Sequence, residues 1–181
     1  MFHKSTLSSR GQESAPFEVL IAVIVMSFVL YFGFRALNEL KYQDCMNRLT
    51  SSVEKFRAEL EKTVLSSAPG KITFRPPKCA RGQEIRVDMI ANRAVCSSLC
   101  ESGIQQCTVI SVFSTSYAKR FCLKIPLKVS FPEAPGDCED KTSEGYTLID
   151  IRDGIPDGEY YFLNRTPAGK AFPIICVYWK G

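Results

Sequence analysis

Between Val19 and Phe34 the chain runs 16 residues without a charge, and from Ala15 the 20-residue stretch contains a single acid, Glu18. As a helix the 16 residues rise roughly 24 Å at about 1.5 Å each, and the longer stretch approaches what crosses a bilayer core. Charge returns at Arg35, yet no Gly or Pro occurs before Pro69. Tyr42, Met46, Leu49, Val53, Phe56 and Leu60 recur at intervals of four and three, flanked by Leu37, Leu40 and Val64. That spacing draws one apolar stripe on a helix, with Glu54, Lys55, Arg57, Glu59, Glu61 and Lys62 on the other faces. The pattern predicts one helix of roughly 50 residues, ended by the "SAPG" of Ser67–Gly70. The stripe either pairs with copies of itself in a coiled coil or docks on a sheet of the same chain. About three heptads is short for a coiled coil, so docking is the expectation.

After Gly70 the period shortens. "KITF", "EIRVDMI", "QCTVISVF", "RFCLKIPLKVSF", "YTLIDI", "EYYFL" and "AFPIICVYW" read as strands. Turn-prone stretches separate them, among them "RPPKCARGQ", "PEAPGDCEDKTSEG" and "NRTPAGK". "NRAVCSSLCESG" reads as a short helix or a disulfide-held loop. Short connections and the lack of a βαβ rhythm predict an antiparallel sheet. The fold class is therefore α+β: a long N-terminal helix packed on a β head, with an immunoglobulin-like sandwich on a stalk as the structural alternative.

Eight cysteines, Cys45, Cys79, Cys96, Cys100, Cys107, Cys122, Cys138 and Cys176, all follow the apolar run. In an exported domain they would pair as four disulfides, with roughly a hundred connectivities open. Free thiols and a zinc site are the alternatives, but the closest spacing is "CSSLC" and the one histidine, His3, precedes the apolar run. Cys45 faces the stripe side, so a bond from it would pin helix to head; a buried thiol is the other reading. The net charge of +4 comes from 23 basic and 19 acidic residues spread along the chain. No basic block favours nucleic acid.

Catalytic chemistry has little to work with. The head lacks a histidine to serve as base, and no phosphate loop or metal cluster stands out, so no enzyme and no cofactor are expected. Asp150, Asp153, Asp157 and Glu159 lie close together, but not at calcium-loop spacing, and read as turn residues. Asn164-Arg165-Thr166 is a glycosylation sequon in a predicted turn.

Lys4 and Arg10 precede the apolar run with no acid before Glu13, which favours a cytoplasmic N-terminus and a head outside the cell. A cleaved secretory signal would need small residues after the run, and "YFGFRALNEL" offers no good site. At the front, Arg10-Gly11 is followed by Gln12, Ser14 and Leu20. This resembles the class III signal peptide of archaeal type IV pilin-like proteins: a basic residue and Gly, a cut, then Q-x-S-x-E-x-x-x-L leading into a long apolar helix. Gln12, Ser14 and Leu20 match the first, third and ninth mature positions. The fifth, ordinarily Glu, is Pro16 here, and the nearest acids are Glu13 and Glu18.

The resemblance implies cleavage between Gly11 and Gln12 by a prepilin-type leader peptidase at the cytoplasmic face. It also implies pairing of the new amine with an acid of a neighbouring subunit, for which Glu18 and Glu13 are the candidates. Glu18 could equally be an acid reaching the membrane interface. The expected organisation is a leader over 1–11, a transmembrane helix segment over 12–34, an extracellular amphipathic helix over 35–67 and a disulfide-rich β head over 68–181. The implied partners are the membrane, the peptidase, other pilin-like subunits and an assembly platform. The competing expectation is a non-polymerising, single-pass anchored binding or adhesion module.

Overall fold

The computed structural model describes residues 15–80, 83–100, 105–113, 118–126, 129–132, 136–138, 144–166 and 169–181. Residues 1–14, among them Gly11, Gln12 and Glu13, lie outside the described residues. One helix, α1 (Ala15–Ser66), begins the chain. The chain divides at Asp44/Cys45 into two compact units, and α1 contributes to both.

In the second unit, Cys45, Leu49, Val53, Phe56, Leu60 and Val64 of α1 are buried and Met46 is partly so. The predicted stripe therefore docks in its own chain from Cys45 onward, whereas Leu37, Leu40 and Tyr42 are exposed. Arg48, Ser51, Lys55, Ala58, Lys62 and Leu65, again three and four apart, lie on the solvent face. Two sheets cover the rest of the helix. β1 (Gly70–Phe74), β6 (Gly158–Arg165), β7 (Ile174–Lys180) and β5 (Thr147–Leu148) lie in the order β1-β6-β7-β5. β2 (Glu84–Ile90), β3 (Cys107–Phe113) and β4 (Ala118–Leu123) form the second sheet. Every strand pairing within the sheets is antiparallel.

Where one antiparallel sheet was expected there are two, joined by residues 149–155. Ile149 N donates to Val177 O, Val87 N to Ile151 O and Ile155 N to Ile85 O, at 2.7–3.0 Å. The joined surface wraps α1 from both sides. At one end Gly70 of β1 sits so close to the helix that an added Cβ would collide with Thr63 Oγ1. From the second sheet, Lys119 Nζ of β4 donates to Thr50 Oγ1 (3.1 Å) and Lys124 N, just past β4, to Glu61 Oε1 (2.8 Å). Those 11 helical residues and 5 strand residues each span roughly 16 Å, so β4 keeps pace with α1. Phe56 is the centre of the shared core, its ring edge-on to Phe74, Tyr160 and Phe162 at centroid distances of 5.1–5.4 Å.

Several predicted strands end early for visible reasons. β4 stops at Leu123 rather than Phe131, because Lys124 N is taken by Glu61 and Pro126 has no N–H to give. β5 is two residues long, since Asp150 turns the chain by accepting from Arg152 N and clamping its guanidinium at 2.6–2.9 Å. "NRAVCSSLCESG" resolves as α2 (Arg93–Leu99), whose N-cap Asn92 accepts from Val95 N.

The four disulfides are Cys45–Cys79, Cys96–Cys107, Cys100–Cys122 and Cys138–Cys176. They close separations of 34, 11, 22 and 38 residues, so each removes about 3–4 kcal/mol of chain entropy from the unfolded state taken singly. Cys45–Cys79 ties α1 to the β1–β2 connection, and two bonds hold α2 to β3 and β4. Cys138–Cys176 holds a second, smaller core with Tyr146 and Tyr178.

Asn164 lies inside β6, opposite Ile175, and not in the predicted turn. Its Nδ2 donates to Val64 O at 3.0 Å, one of the last carbonyls of α1, just before Ser67 leaves the helix with φ +56°. Asn164→Ala leaves that carbonyl without its donor and is expected to cost about 1–2 kcal/mol in denaturant unfolding of the oxidised protein. An unchanged midpoint would show that water replaces the side chain without loss.

Candidate functional site

The first unit has one chemical character. From Phe17 to Phe34 the large apolar side chains of α1 are exposed, and an 18-residue window with a mean hydropathy of 2.3 has none of its residues buried. Such a continuous apolar surface is unfavourable in water and calls for a cover. By length and composition this is a helix able to cross a membrane, the one such helix among the described residues. Within it, Ser27 Oγ donates to Val23 O at 2.8 Å.

Glu18 lies in the first turn of α1, where negative charge is favoured by the unpaired N–H groups. Pro16 is the second helical residue, and its missing N–H falls among the four that no helix satisfies, so the helix runs intact from Pro16 through Glu18.

The head takes up its acids elsewhere. Asp150 is held by Arg152, which also donates to Pro132 O at 3.1 Å. That guanidinium keeps the Asp150 carboxyl below the ordinary carboxylate range. Asp150 and Asp153 border an open groove of about 570 Å³ with Glu84, Gln83 and Trp179. Asp157 supplies the carbonyl that receives Trp179 Nε1. Glu159 accepts from the Tyr146 hydroxyl and from Lys71 Nζ (2.9 Å), and those two donors, in that order, hold its carboxyl low. Of the four acids, Asp150 and Asp153 share that groove, and Glu159 is engaged separately by Tyr146 and Lys71. Among the described residues no group of three or more His, Cys, Asp or Glu is placed to hold a metal, and all eight cysteines are consumed by disulfides.

Sequence reasoning missed a second polar site. Ser52 and Lys55 of α1 face Thr73 and Arg75 at the edge of the first sheet, across a recess of about 410 Å³. The signal available was local: Arg75 precedes Pro76-Pro77, which holds it extended. Its partners across the recess depend on how β1 docks.

No family model, curated protein or solved structure matches the chain.

Proposed function

We propose that this protein is an exported, membrane-anchored, pilin-like surface protein, a structural or minor subunit of a type IV-like filament. The observation that carries the reading is α1 itself. One uninterrupted helix has a fully exposed apolar N-terminal part and a C-terminal part enclosed by a disulfide-stapled β domain. The cut-site resemblance at Arg10-Gly11-Gln12 supports it, and so does the order of leader, apolar helix and disulfide-rich head. In this reading the apolar part is inserted first in the bilayer and then against neighbouring subunits. The head stays outside the cell, and its work is assembly and surface contact rather than catalysis. A leader peptidase, further pilin-like subunits and a membrane platform are the partners.

The test is the mass of the N-terminal peptide of protein taken from native membranes. The expected peptide begins at Gln12, and Gly11→Trp is expected to leave the leader attached in essentially all molecules. A native N-terminus at Met1 or Phe2 would remove the filament reading and leave a non-polymerising anchored module.

A further inference from the structure

Most cations of the head have partners. Arg57 is paired with Glu54 and Glu61, Lys62 with Glu59, Lys71 with Glu159, Arg86 with Glu84 and Asp88, Arg152 with Asp150, and Lys170 with Asp137. Among the described residues Lys55 and Arg75 have no carboxylate, hydrogen-bond or ring partner, as is also true of Lys78, Arg93 and Arg120; what sets the pair apart is the recess they share. The acid four residues after Lys55, Glu59, is turned to Lys62 and lies against Gly70. Both cations border the same recess with Ser52 and Thr73, and among the described residues no acid and no large apolar side chain lines it.

The recess is rigid. Ser52 and Lys55 are one helical turn apart on the enclosed part of α1, whose buried face is packed at Val53 and Phe56. Arg75 leaves β1 directly into two prolines, and four residues later Cys79 is bonded back to Cys45 of the same helix. The Arg75 loop is therefore anchored at both ends and loses little freedom on binding. Ser52 Oγ already donates to Arg48 O (3.0 Å), so the donors on offer are the two cations and the Thr73 hydroxyl; guanidinium and ammonium each donate to several oxygens at once, which matches a tetrahedral oxyanion.

We infer that the Ser52–Lys55–Thr73–Arg75 recess is a binding site for a phosphate-class anion. This does not depend on filament formation. Two sources share the chemistry: a soluble phosphate ester and the headgroup of an anionic phospholipid. The second rests on the membrane-anchor reading.

The experiment uses the full chain. In neutral detergent micelles, ³¹P NMR linewidths of inorganic phosphate are followed at constant ionic strength against chloride. In nanodiscs of phosphatidylcholine, with or without phosphatidylglycerol, hydrogen exchange of residues 70–76 is followed. Saturable broadening, weakened about tenfold or more in Lys55→Gln and Arg75→Gln but not in Lys62→Gln, supports the site. Protection that requires phosphatidylglycerol and is lost in the same two variants assigns it to lipid. Broadening without that protection assigns it to a soluble ester. Neither effect, or effects indifferent to both substitutions while the four disulfides remain intact, overturns the inference.

Discussion

Phe56→Ala is expected to lower the unfolding free energy of the oxidised protein by about 3–5 kcal/mol, against a total of roughly 5–15 kcal/mol for a domain of this kind. Phe56 is 1% exposed and meets three aromatic rings, one from β1 and two from β6. Removing it opens a void that the first sheet cannot close, because β1 is held at Gly70 against Thr63 and β6 at Asn164 against Val64. The edge-to-face contacts are lost in addition to the buried area. Phe56→Leu retains most of the volume and is expected to lose less than half as much. Denaturant titration with the disulfides intact reads both. Equal, small losses for Ala and Leu would mean that the helix is not the centre of the core. The same variants distinguish docking from a coiled coil, since a stripe used between copies would change oligomeric state before it changed the unfolding of one head.

Glu18→Gln combined with Glu13→Gln is expected to abolish filaments while leaving insertion, cleavage and disulfide formation intact, if the cut at Gly11 proceeds as proposed. Cleavage creates an α-amine on Gln12 whose ordinary pKa, near 8, keeps it largely charged. An ion at mid-membrane costs about 2.5–3.5 kcal/mol on insertion scales, and an acid of a neighbouring subunit offsets part of that. Gln retains shape and helix propensity and removes the charge. The readout is the amount of this protein in sheared extracellular material relative to membrane-bound protein. Normal filaments with both acids replaced would eliminate charge pairing at the helix top. No filaments from the unmutated protein would favour the anchored module. Single variants then assign the role, because Glu18 stands two positions beyond the usual acid and Glu13 three positions before it.

Periodicity made α1 legible. An unbroken run without Gly or Pro, an uncharged stretch and a 4-3 stripe are local properties, and each survives into the folded chain because helical hydrogen bonds connect residues four apart. The α+β class followed from the change of period at Gly70, and seven strand segments were recognisable for the same reason. What the stripe covers was not local. Cys45 to Val64 is enclosed while Leu37, Leu40 and Tyr42 are not, a difference set by where the sheets reach and not by any change in the stripe. The joining of the two sheets depends on Val87 and Ile85 bonding to Ile151 and Ile155, 64 and 70 positions away, which no spacing encodes. The eight cysteines announced a staple framework, but their pairing needed the strands in register. Asn164 read as a turn sequon and is a strand residue capping a helix 100 positions earlier. The Lys55–Arg75 recess arises only when an edge strand is laid along a helix. Sequence alone determined the elements, because their hydrogen bonds and faces repeat over three or four residues. Tertiary structure alone decided partners, because burial and pairing join residues whose separation along the chain carries no signal.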